Sequence, residues 1–276
     1  MNLNLKLRDK NFDTRNKTLI MGILNVTPDS FSDGGFFYSP ESAVNHAAKL
    51  ISDGADIIDI GAESTRPNFT PIDADTEIAR LEKIIPAIKN FGVPISIDTY
   101  KPQVAAVALE LGADIINDVH GLADDEMISV AKKFNAPVIA MHNGLDKNIS
   151  DGYVIADIKN FFRRTLQRCK NFGFNTAQII FDPGIGFGKT QEENLTVLRN
   201  LRELKNLDGV EIPLLLGVSR KSVIGYATGF DVADRDEATG AVCVLAISKG
   251  VDIVRVHNVK LISKMCRMAD VLIRRK

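Results

Sequence analysis

The sequence predicts an α/β fold, a single (β/α)8 barrel of the TIM type, and three observations support this prediction. Short β-branched runs alternate with longer helical stretches along the 276 residues, as in folds built on parallel sheets. Most of these runs are apolar throughout, which is typical of strands that are buried on both faces. A Gly-x-Asp triplet recurs at residues 54–56, 112–114 and 250–252, where a glycine ends a helix and the next strand begins.

Eight β-α units are predicted after residue 17, and no linker or low-complexity segment separates them. We therefore expect one domain over residues 1–276. The alternative is an open doubly wound sheet, but no Gly-rich phosphate loop follows the first strand. The predicted strands are Thr18–Leu24, Asp56–Ile60, Pro94–Ile97, Asp114–Asn117, Pro137–Met141, Gln178–Phe181, Pro213–Gly217 and Asp252–Val256.

Residues 1–17 precede the barrel. Met1–Leu7 alternates apolar and polar residues, which predicts a short N-terminal strand or hairpin extension and not a signal peptide. Longer stretches with helical character lie between and after the barrel strands. The predicted helices are Glu41–Ser52, Asp75–Phe91, Pro102–Leu111, Asp125–Phe134, Val154–Phe172, Glu192–Leu204, Ala238–Lys249 and Val259–Arg275.

Composition limits the partners of the chain. The formal net charge of −1 argues against a surface that coats nucleic acid, although it leaves small anions open. No apolar run approaches membrane-spanning length. The three cysteines are scattered, which fits a reducing compartment and neither a disulfide framework nor a zinc site. We expect a cytoplasmic protein that binds small molecules, without a nucleic-acid or membrane partner.

Polar residues end the predicted strands, and in this fold the strand ends form the catalytic face. At a single position the structural explanation is favoured, because strand ends and helix caps recruit Asp, Asn and Ser anyway. The pattern around the whole rim nevertheless predicts a polar pocket. Its members are Asn25, Asp59, Glu63–Arg66, Asp98, Asn117, Asp118, His142, Asp182, Ser219–Lys221, Arg255 and His257.

One group of rim residues suits a heterocycle. Asp98, Asn117 and Asp182 match the donor edge of a 2-amino-pyrimidinone ring, and such an edge gives strong discrimination. Two buried carboxylates that face each other raise one another's pKa unless a cation compensates, and Lys221 is the candidate cation. Alternatively, Asp98 is a helix N-cap before Lys101, and Asp182 is a turn residue.

A second group suits phosphate. Arg255 and His257 follow the eighth strand, and the turn at residues 219–222 follows the seventh, which is the usual phosphate end of such barrels. Arg255 lies in an apolar strand, where a charge is costly unless an anion pairs with it. An internal salt bridge to a strand-end aspartate is the serious alternative, and His257 alone is more simply a structural histidine.

The first and second loops of the rim are rich in Gly, Ser and Pro. Their charged tips are Asp33 and Arg66, and such loops can act as lids that exclude water; ordinary surface disorder is the alternative. Asn25 stands where the first strand ends, and its side-chain oxygen could reach a hard cation. The Walker-like stretch at residues 182–190 is excluded as a phosphate loop, because Pro183 stands where glycine is needed.

Together these motifs resemble the dihydropteroate synthase family of pterin-binding enzymes, over nearly the whole chain after residue 17. The resemblance rests on seven motifs in family order: Met21–Gly35, Glu63–Pro67, Ser96–Thr99, Ile116–Asp118, Asp182–Lys189 with Asn194, Gly217–Ser222 and Arg255–His257. It implies condensation of 6-hydroxymethyl-7,8-dihydropterin pyrophosphate with p-aminobenzoate. The products are 7,8-dihydropteroate and pyrophosphate.

The resemblance also implies roles for single residues. The pterin would be held by Asp98, Asn117, Asp182 and Lys221. Arg255 would stack on the pterin and would also contact the phosphate. Thr65, Arg66 and His257 would steady the phosphates, and Asn25 would hold a Mg²⁺ ion on the pyrophosphate. Phe187, Lys221, Ser222 and the two loops, with Phe31 and Asp33, would frame p-aminobenzoate. The catalytic roles fall to Asp33, Arg66 and Lys221. The family is commonly dimeric, which implies a homodimer through the late helices, and sulfonamides should compete with p-aminobenzoate.

Three positions depart from the family pattern, namely Ala62, Asn68 and Asn143. Two other functions remain open at this point. A pterin-binding methyltransferase of the same barrel type would share the pterin-reading positions but would not need Arg255, His257 and the turn at 219–222. A non-catalytic pterin-binding barrel is the third possibility. Release of pyrophosphate that requires both substrates would separate the three.

Overall fold

The computed structural model describes residues 4–7, 10–27, 39–63, 71–144 and 153–274. The strands of the described chain are β1 (Asn4–Leu7), β2 (Lys10–Asp13), β3 (Leu19–Asn25), β4 (Ile57–Gly61), β5 (Ile95–Asp98), β6 (Ile115–Asp118), β7 (Val138–Met141), β8 (Ile179–Asp182), β9 (Asn206–Leu207), β10 (Val210–Glu211), β11 (Leu215–Leu216) and β12 (Ile253–Val256). Eight of them form one parallel sheet in the order β11-β12-β3-β4-β5-β6-β7-β8.

The two edges of this sheet meet. Phe181 of β8 forms a parallel bridge with Leu214, just before β11, and the Phe181 N–H donates to the Pro213 carbonyl oxygen at 2.9 Å. The predicted (β/α)8 barrel is thereby confirmed. The predicted N-terminal hairpin is confirmed as well, because β1 and β2 pair antiparallel.

Helices follow the barrel strands and cover the outside of the sheet. They are α1 (Pro40–Ser52), α2 (Ala74–Leu81), α3 (Ile85–Lys89), α4 (Pro102–Leu111), α5 (Asp125–Phe134), α6 (Val154–Asn171), α7 (Gln191–Arg199), α8 (Leu201–Lys205), α9 (Ser222–Thr228), α10 (Asp236–Ser248) and α11 (Val259–Ile273). None of the helices in the described ranges is both long and apolar enough to cross a membrane.

Two helices that the sequence predicts as continuous are each broken in two. The stretch from Asp75 to Phe91 divides into α2 and α3. Pro86 stands in the first turn of α3, and a proline there removes a backbone donor and clashes with the preceding turn. The stretch from Glu192 to Leu204 divides at Asn200 into α7 and α8.

The recurrent Gly-x-Asp triplet has a structural role that the sequence did not reveal. Each glycine adopts a positive φ, between 94° and 117°, which ends a helix without steric cost. Each aspartate then accepts a backbone N–H from the neighbouring strand segment. The bonds join Asp56 to Ile20 at 3.1 Å, Asp114 to Ile95 at 2.9 Å and Asp252 to Leu214 at 2.8 Å.

The interior of the barrel is layered by polarity. Its lower part is an apolar cluster that Leu7 and Phe12 of the hairpin complete, so the hairpin covers the amino-terminal end of the strands. Two residues further along β4, β6, β8 and β12, the inward positions become polar because side chains alternate with a period of two. The apolar barrel members are Leu19, Met21, Ile57, Ile115, Ile139, Ile180, Leu215 and Ile253.

Candidate active site

Arg255 joins the polar side chains at the mouth of the barrel. Its Nε donates to Asp59 Oδ2 at 2.6 Å and its Nη2 to Asp98 Oδ2 at 2.7 Å. Asn117 Nδ2 donates to the same Asp59 oxygen at 3.2 Å. The internal salt bridge that the sequence left open is therefore present. The alternative of an N-cap for Asp98 is wrong, because Lys101 is the N-cap of α4 and makes no side-chain capping bond.

Asp98 has one carboxylate oxygen to spare. Its Oδ1 is buried and has no hydrogen-bond partner within the described part of the chain. Burial raises the pKa of Asp98 to about 7, with Arg255 opposing the rise and Asp59 adding to it. The carboxylates that add to the rise of this pKa are Asp59 and Glu77, and Lys221, the candidate cation, opposes the rise at both Asp98 and Asp182. A buried acceptor without a partner is suited to a ligand that brings a donor.

Lys221 and Asp182 form the opposite side of this cluster. Burial raises the pKa of Asp182 and Lys221 opposes this rise, while burial lowers the pKa of Lys221 to about 8. Residue 217 is a glycine, and a Cβ there would lie 3.6 Å from Asp182 Oδ2 and 3.8 Å from Lys221 Nζ. Both charged groups therefore lie beside an open position. Asp182 also forms the turn suggested by the sequence, because its Oδ1 accepts the Gly184 N–H at 2.7 Å.

Lys221 also contacts the loop that follows β8. Its Nζ donates to the Ile185 carbonyl oxygen at 2.6 Å and lies 4.8 Å from the centroid of the Phe187 ring, which is a cation–π distance. Phe187 is half-buried and Ser222 is exposed. Ser222 begins α9 and accepts a hydrogen bond from Gln191 Nε2 at 3.1 Å. Lys221 thus lies between the predicted pterin side chains and the two residues predicted to frame p-aminobenzoate.

The predicted phosphate end brings the loops after β11 and β12 together. Ser219 Oγ lies 3.0 Å from His257 Nδ1, and the His257 N–H donates to the same hydroxyl oxygen at 3.2 Å. Arg220, in contrast, directs its guanidinium to Asp236 at 2.7 and 2.8 Å. Within the predicted turn, the group that reaches the eighth strand is therefore the Ser219 hydroxyl.

Asn25 ends β3 at the rim. A Cβ at residue 61 would lie 3.3 Å from its Oδ1, so Gly61 leaves room for this amide oxygen. No cluster of three His, Cys, Asp or Glu side chains that could hold a metal occurs in the described ranges. A single amide oxygen fits Mg²⁺ nonetheless, because this ion keeps several waters and binds substrate phosphates.

Lys189 of the Walker-like stretch has a structural role, because it connects the loop after β8 to the residues after β7 by hydrogen bonds. Its Nζ lies 2.8 Å from His142 Nδ1 and donates to the carbonyl oxygens of Gly184 and Phe187 at 3.0 and 3.2 Å. Gly184 has a φ of +68°, and a Cβ there would lie 1.9 Å from the His142 carbonyl oxygen. Gly184 therefore permits the close approach of two backbone segments.

Five of the residues predicted for the site lie outside the described residues, namely Phe31, Asp33, Ser64, Thr65 and Arg66. The segment at residues 64–70 is bounded by Glu63 and Pro71. Glu63 Oε1 accepts the Ile72 N–H at 2.7 Å. Lys101 Nζ donates to the same Glu63 oxygen at 2.9 Å. The sequence placed Asp59 on the rim without a role, and it did not indicate that Lys101, three residues after the end of β5, pairs with Glu63.

Comparison with known proteins agrees with this geometry. A family model described as "Pterin binding enzyme" matches residues 21–257. The chain is 46% identical to a dihydropteroate synthase of Clostridium beijerinckii over 274 residues, which cover 98% of this chain and 100% of that one. The fold and the mouth of the barrel therefore place the chain among the pterin-binding enzymes.

Solved structures indicate which pterin-binding enzymes the chain resembles. A dihydropteroate synthase from Clostridium difficile, in the presence of pteroic acid, is 48% identical with a TM-score of 0.89 and covers 95% of this chain and 99% of that one. The Xanthomonas albilineans enzyme with 4-aminobenzoic acid is 33% identical, with a TM-score of 0.91 and coverages of 99% and 98%. The Yersinia pestis enzyme in a sulfonamide drug complex is 35% identical, with a TM-score of 0.88 and the same coverages.

This chain belongs to the dihydropteroate synthase family, the transferases of folate biosynthesis.

Proposed function

We propose that the mouth of the barrel binds 6-hydroxymethyl-7,8-dihydropterin pyrophosphate and transfers its methylene carbon to the amine of p-aminobenzoate. The observation that carries this proposal is the buried Oδ1 of Asp98, which has no hydrogen-bond partner among the described residues. Asn117 lies beside Asp98 in the sheet, and Arg255 forms an ion pair with the other oxygen of Asp98. A 2-amino-pyrimidinone ring brings the donors that this acceptor lacks, and a ligand without them leaves it unpaired at a cost.

The pterin ring is held by Asp98, Asn117, Asp182 and Lys221. The two carboxylates and the amide come from three different strands, so they can meet the edge of one flat ring from several sides. Lys221, whose pKa burial lowers to about 8, is charged at neutral pH and donates to the ring from the side of Asp182. We assign it a second role at the p-aminobenzoate site, because it also lies against Phe187.

The pyrophosphate is held at the end of the barrel formed by β11 and β12. His257 supplies its ring there, with Ser219 fixing the ring through Nδ1. Arg255 supplies its positive charge, and Thr65 and Arg66 are assigned to the same phosphates on family likeness. Asn25 is the residue that would hold Mg²⁺. When bound, this ion would offset charge on the leaving pyrophosphate.

Phe187 and Ser222 frame p-aminobenzoate together with Lys221. Phe31, Asp33 and Arg66 are assigned to the same subsite on family likeness, with Asp33 and Arg66 in catalytic roles. The related Xanthomonas albilineans enzyme was solved with 4-aminobenzoic acid, which supports this choice of second substrate. Sulfonamides should compete for the subsite, as the drug complex of the Yersinia pestis enzyme suggests.

The chemistry needs no activated nucleophile on the protein. The bond between the methylene carbon and the pyrophosphate oxygen breaks, and its electron pair leaves with pyrophosphate. The electron-rich dihydropterin stabilises the resulting cation, the aniline nitrogen adds to it, and that nitrogen then loses its proton. The role of the chain is to orient both substrates, to absorb leaving-group charge and to exclude water.

The chain acts as a homodimer in the cytoplasm under this proposal. Helices α10 and α11 pack together, and their outer faces expose apolar side chains, of which Leu272 is 71% and Met268 58% exposed. Exposed apolar groups of this kind mark an interface. The described cysteines are three free, buried thiols, which fits a reducing compartment.

Release of pyrophosphate tests the proposed function. We expect release only when the pterin pyrophosphate, p-aminobenzoate and Mg²⁺ are all present, and we expect sulfonamides to inhibit it competitively with p-aminobenzoate. Release without p-aminobenzoate, or no release with both substrates, would contradict the proposal. Methyl transfer from a methylated folate to a corrinoid would instead support the rival methyltransferase.

A further inference from the structure

Arg220 holds an unusual backbone conformation between two residues of the site. It has a φ of +59°, in the left-handed region that residues with a Cβ rarely occupy. Its neighbours are Ser219, which contacts His257, and Lys221, which lies beside Asp182. A strained residue at such a place persists only where the surrounding structure fixes it.

The beginning of α10 and the residue before it fix Arg220 from three directions. The Arg220 N–H donates to Thr239 Oγ1 at 3.2 Å, and its carbonyl oxygen accepts from Arg235 Nη1 at 3.1 Å. Its guanidinium forms two parallel bonds to the Asp236 carboxylate at 2.7 and 2.8 Å. Such paired bonds are the strongest and most directional that arginine forms with a carboxylate.

Asp236 ties this turn to the next strand as well. Its Oδ2 accepts Asn258 Nδ2 at 2.8 Å, and Asn258 directly follows His257 and caps α11 by accepting the Leu261 N–H. The hydrogen bonds from Arg220 lower the pKa of Asp236, so this carboxylate is charged at neutral pH. One buried carboxylate thus connects the loops after β11 and β12.

We propose that Arg220, Asp236 and Asn258 form a clamp that positions the two ends of the substrate site, an inference that rests on the proposed function. Through the clamp, the turn at residue 220 directs Ser219 to His257 at the pyrophosphate end. The same turn directs Lys221 to the pterin and p-aminobenzoate side. Arg220 and Asp236 are positioning residues, and Arg220 acts through Asp236 without a contact to substrate.

A double-mutant cycle tests the clamp. Arg220→Gly removes the guanidinium and lets the backbone keep its conformation without strain, while Asp236→Asn keeps the shape and removes the charge. We expect each variant to lower kcat/KM for the pterin pyrophosphate roughly 10- to 100-fold, the range typical of groups that orient ligands. The double variant should be no worse than the poorer single one, since coupled residues are not additive. Glu237→Gln, exposed on the same helix, is the control and should match wild type.

Binding of inorganic pyrophosphate with Mg²⁺, measured by calorimetry, gives a second readout that needs no turnover. Asp236→Asn should weaken this binding about 10-fold, the lower end of the same range. Thr239→Val should weaken it as well, and this variant provides the test if Asp236→Asn does not fold. Wild-type affinity in both variants would overturn the clamp. Multiplicative losses in the double variant would also overturn it, because Arg220 would then act on substrate directly. If the wild type does not release pyrophosphate, the proposed function is rejected but the clamp is not, because the calorimetric comparison of the variants does not depend on turnover.

Discussion

Arg255 stays charged inside the mouth of the barrel because two carboxylates accompany it. Burial opposes the charge, yet Asp59 and Asp98 together raise the pKa of Arg255 above its ordinary value. A buried ion pair of this kind stabilises little by itself, and removal of one partner is costly. The ion pair holds one oxygen of Asp98 in place, and the other oxygen, which has no partner in the part of the chain that the structure describes, can accept a hydrogen bond from a ligand.

The pH dependence of catalysis follows from two residues. Burial raises the pKa of Asp98 to about 7 and lowers that of Lys221 to about 8. As pH falls through 7, Asp98 gains a proton and loses its acceptor role; as pH rises through 8, Lys221 loses its charge. We expect kcat/KM for the pterin pyrophosphate to trace a bell with limbs near these values, because this parameter reports the free enzyme.

Steady-state rates between pH 5.5 and 9.5 (roughly the span of both limbs, following the usual bell-shaped analysis) check this prediction. Asp98→Asn should abolish the acid limb, since the amide does not titrate, and should leave the basic limb in place. A wild-type profile that is flat across this range, or an acid limb that survives in the variant, would refute the assignment.

The sequence prediction of the site rested on the types of residue found at the strand ends. Asp98, Asn117, Asp182 and Arg255 follow apolar strands, and their positions alone indicate a shared mouth. The role of Asp59 did not follow in the same way, because its partner Arg255 lies 196 residues away. Only the pairing of the last strand of the chain with the first barrel strand, which sets β12 beside β3 with β4 on the other side of β3, brings the two together.

The loop after β8 is the element that supports the pterin side chains. The loop follows Asp182. Its Ile185 carbonyl oxygen accepts a hydrogen bond from Lys221 Nζ, and its Gly184 carbonyl oxygen accepts one from Lys189 Nζ. Gly184 lies where this loop meets the backbone after β7 at His142. Gly184 is therefore a position of this loop that no side chain can occupy unless the backbone moves.

Alanine replacements at Gly184 and Gly209 distinguish the cost of a positive φ from the cost of steric overlap. Gly184→Ala should destabilise the protein by about 3 kcal/mol or more, because the methyl group overlaps the His142 carbonyl oxygen. Gly209 has a comparable φ of +86°, but a Cβ there meets nothing within 4 Å, so Gly209→Ala should cost only about 1 kcal/mol. Urea denaturation measures both, and equal losses would show that overlap at residue 184 is relieved.

At this scale the sequence predicted the kind and order of elements better than their limits. Most observed strands begin one residue later than predicted, because the residue before each is a proline, an aspartate or a similar polar residue outside the ladder. Helix α9 and the β9–β10 ribbon were missed. Both are short, and the hydrophobic pattern that identifies elements needs a longer window.

Across the whole molecule, function and stability lie at opposite ends of one barrel. The lower end is filled by apolar side chains and covered by the hairpin, and the upper end carries the polar cluster. The clamp from α10 adds a third feature, since the same helix packs on α11 and both expose apolar side chains. The proposed dimer surface is therefore connected by one helix to the substrate site.

A charge on this surface should separate the proposed dimer. Leu272→Glu places a carboxylate at a side chain that is 71% exposed, and burial of an unpaired charge in an interface costs several kcal/mol. Sedimentation at micromolar concentration should show a dimer for wild type and a monomer for the variant. Lys260→Glu, near the start of the same helix, is the control and should remain dimeric. A monomeric wild type would refute the proposed assembly.

Under the proposed function, the Asp98 oxygen that lacks a partner among the described residues accepts a hydrogen bond from the pterin ring. Calorimetric titration with the pterin pyrophosphate tests it most directly. Asp98→Asn should weaken binding roughly 10- to 100-fold, the value of a hydrogen bond to a charged group. Asp59→Asn weakens the same ion pair but removes no unpartnered oxygen, so its loss should be smaller, and Glu237→Gln should bind like wild type. An Asp98→Asn dissociation constant equal to that of wild type, or a larger loss for Asp59→Asn, would contradict the claim.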